Sequence, residues 1–162
     1  PRNKNLGAKI VSRVENTEKL LKNLSLEKVD KEKYYEKSFN LGIPQVNLDR
    51  LKDKIFGIEN NLDELGGIDF KKGCYIGQEN TSRIKLRNKL RKRILPVKKI
   101  SGEIFENDII KYKDAEIGKI MIVKPYAFAF VKVVDPDINE FTNTDLTCGN
   151  SKVKILKPDW IK

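Results

Sequence analysis

Cys74 lies in the run KKGCYIGQE, Lys71 to Glu79, with Lys71 and Lys72 before it, Gly73 and Gly77 on either side, and the amide-carboxylate pair Gln78 and Glu79 after it. Glycine leaves the Cβ position empty, which suits a tight turn or a close approach of backbone to a ligand, so a thiol placed here is expected to be accessible. The thiolate is the attacking form, and cationic neighbours or a helix N-terminus lower the thiol pKa from about 8.5. A turn through Lys71 to Gly73 and a helix over roughly Tyr75 to Lys85 would supply both. The competing reading is the ordinary fate of a lone cysteine, burial as a small apolar side chain. Gln78 and Glu79 together could hydrogen-bond a heterocycle that presents adjacent donors and acceptors, as a pterin edge does. Acidic residues are also generically favoured in first helical turns, where they need no ligand.

Composition narrows the chemistry further. The 162 residues include no histidine, which removes Ser-His-Asp and Cys-His catalysis and histidine-containing metal sites from this chain. Cys74 and Cys148 are its only cysteines, too few for a disulfide framework or a four-cysteine zinc or iron-sulfur site. Cys148, in DLTCGNSK, lacks the lysines and glycine spacing around Cys74 and reads as a small residue at a strand end. No run approaches the roughly 18 to 20 apolar residues of a membrane helix, and PRNKNLGAKIVSR lacks the apolar core of a signal peptide. The expected compartment is the cytosol or an organelle matrix. Because the chain opens on Pro1 and its only methionine is Met121, it is expected to be a piece of a longer protein or a processed form.

The elements that must position the cysteine follow from pattern. Leu6 to Val14 mixes β-branched residues with alternating charge and reads as a strand, and Thr17 reads as the cap of a short helix, TEKLLKNL. Asp30 is placed to cap a second helix that ends at Gly42 and Pro44. Pro44 to Gly67 is rich in turn residues. Beyond Ile100, short β runs recur at roughly ten-residue spacing with Asp-Ala, Pro-Tyr and Asp-Pro-Asp between them, the pattern of a small antiparallel barrel or sandwich. Pro96 argues for an edge strand, and Trp160 for a core or closure anchor. The fold class is therefore α+β, with residues 1–95 as one region, 96–162 as a β domain, and the boundary near Leu95.

The formal net charge is +10, and Arg83 to Lys99 carries nine basic residues and no acid. Clustered cations bind phosphates by releasing counterions, so an RNA contact is one reading. Aromatics for base stacking are absent between Tyr75 and Phe105, and lysine far outnumbers arginine along the whole chain, which favours nonspecific electrostatics or a solvated face.

LGGIDFKKGCYIGQE, followed by Arg83, resembles the signature of the YgfZ-type folate-binding proteins, relatives of the glycine-cleavage aminomethyltransferase that assist iron-sulfur enzymes. Supporting likenesses are Pro1-Arg2 with Leu6-Gly7, the Leu41-Gly42-Ile43-Pro44 turn, and Glu59, Asn61, Leu62 and Asp63. The resemblance implies the C-terminal half of such a protein: the end of an aminomethyltransferase-like folate-binding region, then a C-terminal β-barrel. It implies Cys74 as the functional thiol, and Lys72, Gly73, Tyr75, Gly77, Gln78, Glu79 and Arg83 as residues toward tetrahydrofolate or a derivative. Its implied partners are iron-sulfur enzymes or cluster-assembly proteins, with indirect effects on tRNA-modifying enzymes, in the cytoplasm or, in a eukaryote, the mitochondrial matrix. The role the resemblance implies is an accessory factor rather than a conventional enzyme. An aminomethyltransferase of the same fold is the alternative, and would need a catalytic carboxylate outside this chain. Where many members have an Arg-Ile-Glu-like run before the Gly-Ile-Pro turn, this sequence has Ser38-Phe39-Asn40, so the folate tail would lack an arginine there, with Lys37 a partial substitute.

Overall fold

From Lys92 onward apolar residues alternate with polar or surface-facing ones, and the chain pairs accordingly. In the computed structural model, which describes residues 3–73, 78–87 and 90–161, the strands are β1 (Lys92–Ser101), β2 (Ile109–Tyr112), β3 (Ala115–Ile122), β4 (Ala127–Lys132), β5 (Leu146–Cys148) and β6 (Ser151–Ile155). They close an antiparallel barrel in the order β1-β4-β3-β2-β5-β6. Along β4, Ala127, Ala129 and Val131 enter the barrel interior while Phe128 and Phe130 lie on the outer face, the period of two that a strand imposes. The interior also buries Leu95, Val97, Ile117, Ile120 and Ile155. One end is closed by α4 (Ile138–Phe141), started by a capping box between Asp137 and Glu140, which drives the fully buried Phe141 inward.

Ahead of the barrel come α1 (Val14–Asn23), α2 (Lys31–Asn40), a 3-10 turn at Leu48–Arg50, and α3 (Gln78–Leu86). Asp30 caps α2 as its sequence position implied, and Gly42 ends it at φ 71°. A Cβ on Gly42 would collide with the Pro158 ring, so this turn also fixes the approach of the chain's far end. Trp160 completes that seam: its indole N–H donates to the Leu41 carbonyl at 2.7 Å, and its ring packs against both the barrel core and the cluster of Leu6, Ile43 and Leu65.

Three expectations change. Residues 7–13 form no strand; Val11 is fully exposed and Ile10 is 61% exposed, because alternation without a partner strand has no ladder to join. The first helix starts a turn earlier than its Thr17 cap would have it. Thr17 sits inside α1, where its hydroxyl donates to the Arg13 carbonyl at 3.2 Å. Pro96 is not on an edge: β1 is paired to β4 over Lys92–Val97 and to β6 over Val97–Ser101. The Pro96 carbonyl accepts from Leu156 at 3.0 Å just past the end of β6, so its missing N–H falls where the ladder has stopped.

The outer face of β1, β3 and β4 is covered by the preceding region. Ile94, Ile122 and Phe128 pack under Leu51, with Phe39 of α2 stacked on Tyr126 at 5.0 Å and 21°.

Candidate functional site

Asp69 opens the approach to the cysteine motif. Its carboxylate accepts from the Lys71 N–H at 2.9 Å, the local side-chain turn that aspartate favours, and leaves Lys71, Lys72 and Gly73 exposed. Cys74, Tyr75 and Gly77 lie outside the described residues, as does the side chain of Gln78. The chain reappears as α3, with Glu79 exposed in its first turn and Arg83 exposed four residues on. That spacing puts a carboxylate and a guanidinium on one helix face. The helix expected after the cysteine is thus present from Gln78 to Leu86.

α3 is held from beneath through one lysine. Lys85 forms an ion pair with Asp63 and lies 5.3 Å from the centre of the Phe70 ring. The segment carrying Asp63 is in turn bolted to the barrel. Arg93 of β1 reaches Glu64 at 2.6 Å and donates to the Asn61 Oδ1 at 2.9 Å, while Asn61 Nδ2 donates to the Ile94 carbonyl at 2.8 Å. The Ile94 N–H closes the set on the Glu59 carbonyl at 2.9 Å. Asn61 is 1% exposed and left-handed at φ 59°, a conformation asparagine tolerates better than most residues. α3 is therefore tied by a chain of contacts from β1 through Asn61 and Asp63 to Lys85.

These contacts also alter the reading of the basic run. Lys85 and Arg93 are committed to Asp63 and Glu64, whereas Arg83, Arg87, Arg91, Lys92, Lys98 and Lys99 remain exposed. The run is divided between α3 and β1 rather than presented as one continuous face.

Cys148 behaves as its sequence context implied. It ends β5, is fully buried, and burial, with a smaller contribution from the Asp108 charge, pushes its thiol up to about 11. At neutral pH it is an inert thiol. No group of three or more Cys, Asp or Glu side chains among the described residues is placed to hold a metal ion.

Ser38, at the departure from the family-like pattern, is a structural residue: it is 1% exposed and its hydroxyl donates to the Ile43 carbonyl at 2.5 Å. Lys37 beside it is exposed. Sequence reading had missed a cleft of about 830 Å³ between α2, the Leu48–Arg50 turn and one end of the barrel. Its walls come from segments around residues 39, 50, 99, 105 and 125, and no local motif joins them.

Residues 91–162 match the family model described as CAF17, C-terminal beta-barrel domain. The match coincides with the barrel from just before β1. The chain is also 48% identical over 63 residues to the protein named Iron-sulfur cluster assembly factor IBA57 homolog, mitochondrial, of Neurospora crassa, covering 39% of this chain and 14% of that relative. The protein of the same name in Dictyostelium discoideum is 40% identical over 80 residues, 49% of this chain and 17% of the relative. That of Phaeosphaeria nodorum is 42% identical over 77 residues, 48% of this chain and 19% of the relative. The matched stretches thus span less than a fifth of the length of these curated relatives.

Proposed function

We propose that the protein carrying this chain is an accessory factor in the assembly or repair of iron-sulfur clusters, with Cys74 as its functional thiol and a tetrahydrofolate derivative as its cofactor. The observation that carries this reading is the similarity to relatives named as iron-sulfur cluster assembly factors, at 48% identity over 63 residues in one of them. The KKGCYIGQE motif supports it by placing a cysteine next to cations and just ahead of a helix.

In this reading Lys71 and Lys72 favour the thiolate of Cys74, since positive charge stabilises the ionised form. That is the form able to hold a sulfur or iron species in passing. In this reading the Glu79 carboxylate would accept from the amino edge of a pterin, and the Arg83 guanidinium, one turn away on the same helix face, would donate to an oxygen of the same ring system. Bound there, the cofactor would supply a one-carbon carrier beside the thiol. Glu79 and Arg83 would orient it, and Gly73 would let it approach the backbone. Neither Glu79 nor Arg83 lines the 830 Å³ cleft, so the enclosing walls would come from other parts of the protein. The partners are iron-sulfur enzymes and the proteins that load them, tRNA-modifying enzymes among them. The relatives' names include the word mitochondrial, which supports a matrix location where the host is a eukaryote. Among the described residues no helix is long and apolar enough to cross a membrane.

Depleting the protein from cells tests the reading. Activities of iron-sulfur enzymes should fall while enzymes without clusters hold their levels, and an unchanged iron-sulfur set would contradict the proposal. Tetrahydrofolate titrated into the whole protein should bind at least about tenfold more weakly to Arg83→Ala, the scale of one lost charge-assisted contact. Sustained formation of methylenetetrahydrofolate from a glycine-derived substrate would favour a transferase instead.

A further inference from the structure

The 830 Å³ cleft lies where β1 outruns β4. β4 begins at Ala127, paired with Val97, but β1 continues through Lys98 and Lys99 to Ser101 with only β6 as partner. The Pro96 carbonyl faces β6, where it accepts from Leu156. Backbone groups alternate sides along a strand, so those of Lys99 face the side that β4 has vacated. An unpaired stretch of strand edge is a template for another strand.

The cleft beyond this edge is within the roughly 300 to 1,000 Å³ common for binding sites. Its walls combine two chemistries. Phe39 and Tyr126, stacked on each other, and Phe105, which is 61% exposed, offer apolar and aromatic surface. Lys98, Lys99 and Lys124 offer cations, and among the described residues none of the three is in an ion pair. Arg50, also in the wall, is already paired with Glu106 at 3.2 Å. Glu103 is the remaining acid.

We propose that this cleft is a docking site for an extended acidic segment of a partner protein, which adds to the β1 edge at Lys99 and seats an apolar side chain against Phe39, Tyr126 and Phe105. The free edge distinguishes this occupant from a nucleic acid. It offers an N–H and a C=O that a peptide backbone complements and a phosphodiester does not. None of the described residues of the cysteine motif lines the cleft, and the proposal stands or falls apart from the iron-sulfur reading.

Fluorescence anisotropy with the whole protein and a labelled heptapeptide alternating glutamate with phenylalanine tests it. Saturable binding is expected, at least about tenfold weaker in the Lys98→Glu, Lys99→Glu, Lys124→Glu triple variant, because like charges would then face each other. Tyr126→Ala should weaken it without changing its salt dependence. Melting curves matching wild type establish that both variants are folded. A peptide N-methylated at alternate residues should bind far more weakly, since it cannot join a strand edge. Equal binding of the methylated peptide, indifference to the triple variant, absence of saturable binding, or tighter binding of an oligouridine of equal charge would each overturn the proposal.

Discussion

In the barrel, residues 92–161, neighbouring strands share ladders and a common apolar interior, whereas residues 3–73 are tied to it at a few separate points. Among those points are the Asn61, Arg93 and Glu64 set, the Trp160 bond to Leu41, the Arg50 ion pair with Glu106, the Asn47 amide donating to the Lys124 carbonyl at 2.7 Å, and the patch under Leu51. α1 illustrates the extreme: it buries no residue at all. A region stabilised by ladders fails as one unit, while a region held by bolts can come loose from one end.

Substitutions can break that contrast one bolt at a time. Phe141→Ala should cost about 3 to 5 kcal/mol in urea unfolding, because it empties the barrel core, and a loss under about 1 kcal/mol would refute a single cooperative interior. Asn61→Ala should cost about 2 to 3 kcal/mol by leaving the Ile94 carbonyl and part of the Arg93 guanidinium without partners. Hydrogen exchange should then quicken in residues 56–68 and α3 but not in β2 or β5, and uniform quickening would show that the two regions are one. Gly42→Ala should cost about 1 to 2 kcal/mol through its positive φ and the Pro158 contact, and Trp160→Phe about 1 kcal/mol through one lost hydrogen bond.

Cys148 gives the smallest effect, absent at neutral pH. Its thiol is held near 11 in the folded barrel against an ordinary value of 9.0, so folding favours the protonated form. The folded state then binds more protons between those values, and stability is full below about 9 and falls as pH rises toward 11. Cys148→Ala should flatten this part of a chemical denaturation profile. A profile identical to wild type would place the alkaline loss elsewhere.

The barrel was readable because alternation in a strand such as β6, with Val153 and Ile155 alternating with lysines, reports directly which side chains meet the interior. Its closure and strand order were not, since they depend on pairings such as β2 with β5 that no local pattern encodes. α2 was readable from Asp30 and Gly42, whose backbone requirements are local. Leu6 to Val14 misled because strand pattern has meaning only beside a partner. In the site, the helix after the cysteine was legible as an element, and the glycines and lysines ahead of it as an exposed approach. The support beneath it was not: Lys85 meets Asp63 and Arg93 meets Asn61 across separations that sequence order hides. Arg83 to Lys99 looked like one basic face for the same reason.

The two cysteines offer the most direct test of the central claim, since each serves as the other's control. In cells depleted of the protein, the whole protein carrying Cys148→Ser should restore iron-sulfur enzyme activity, because a buried thiol with a raised pKa takes no part in chemistry. The Cys74→Ser protein, expressed to the same level, should leave those activities at the depleted level. Restoration by Cys74→Ser equal to wild type would contradict the account.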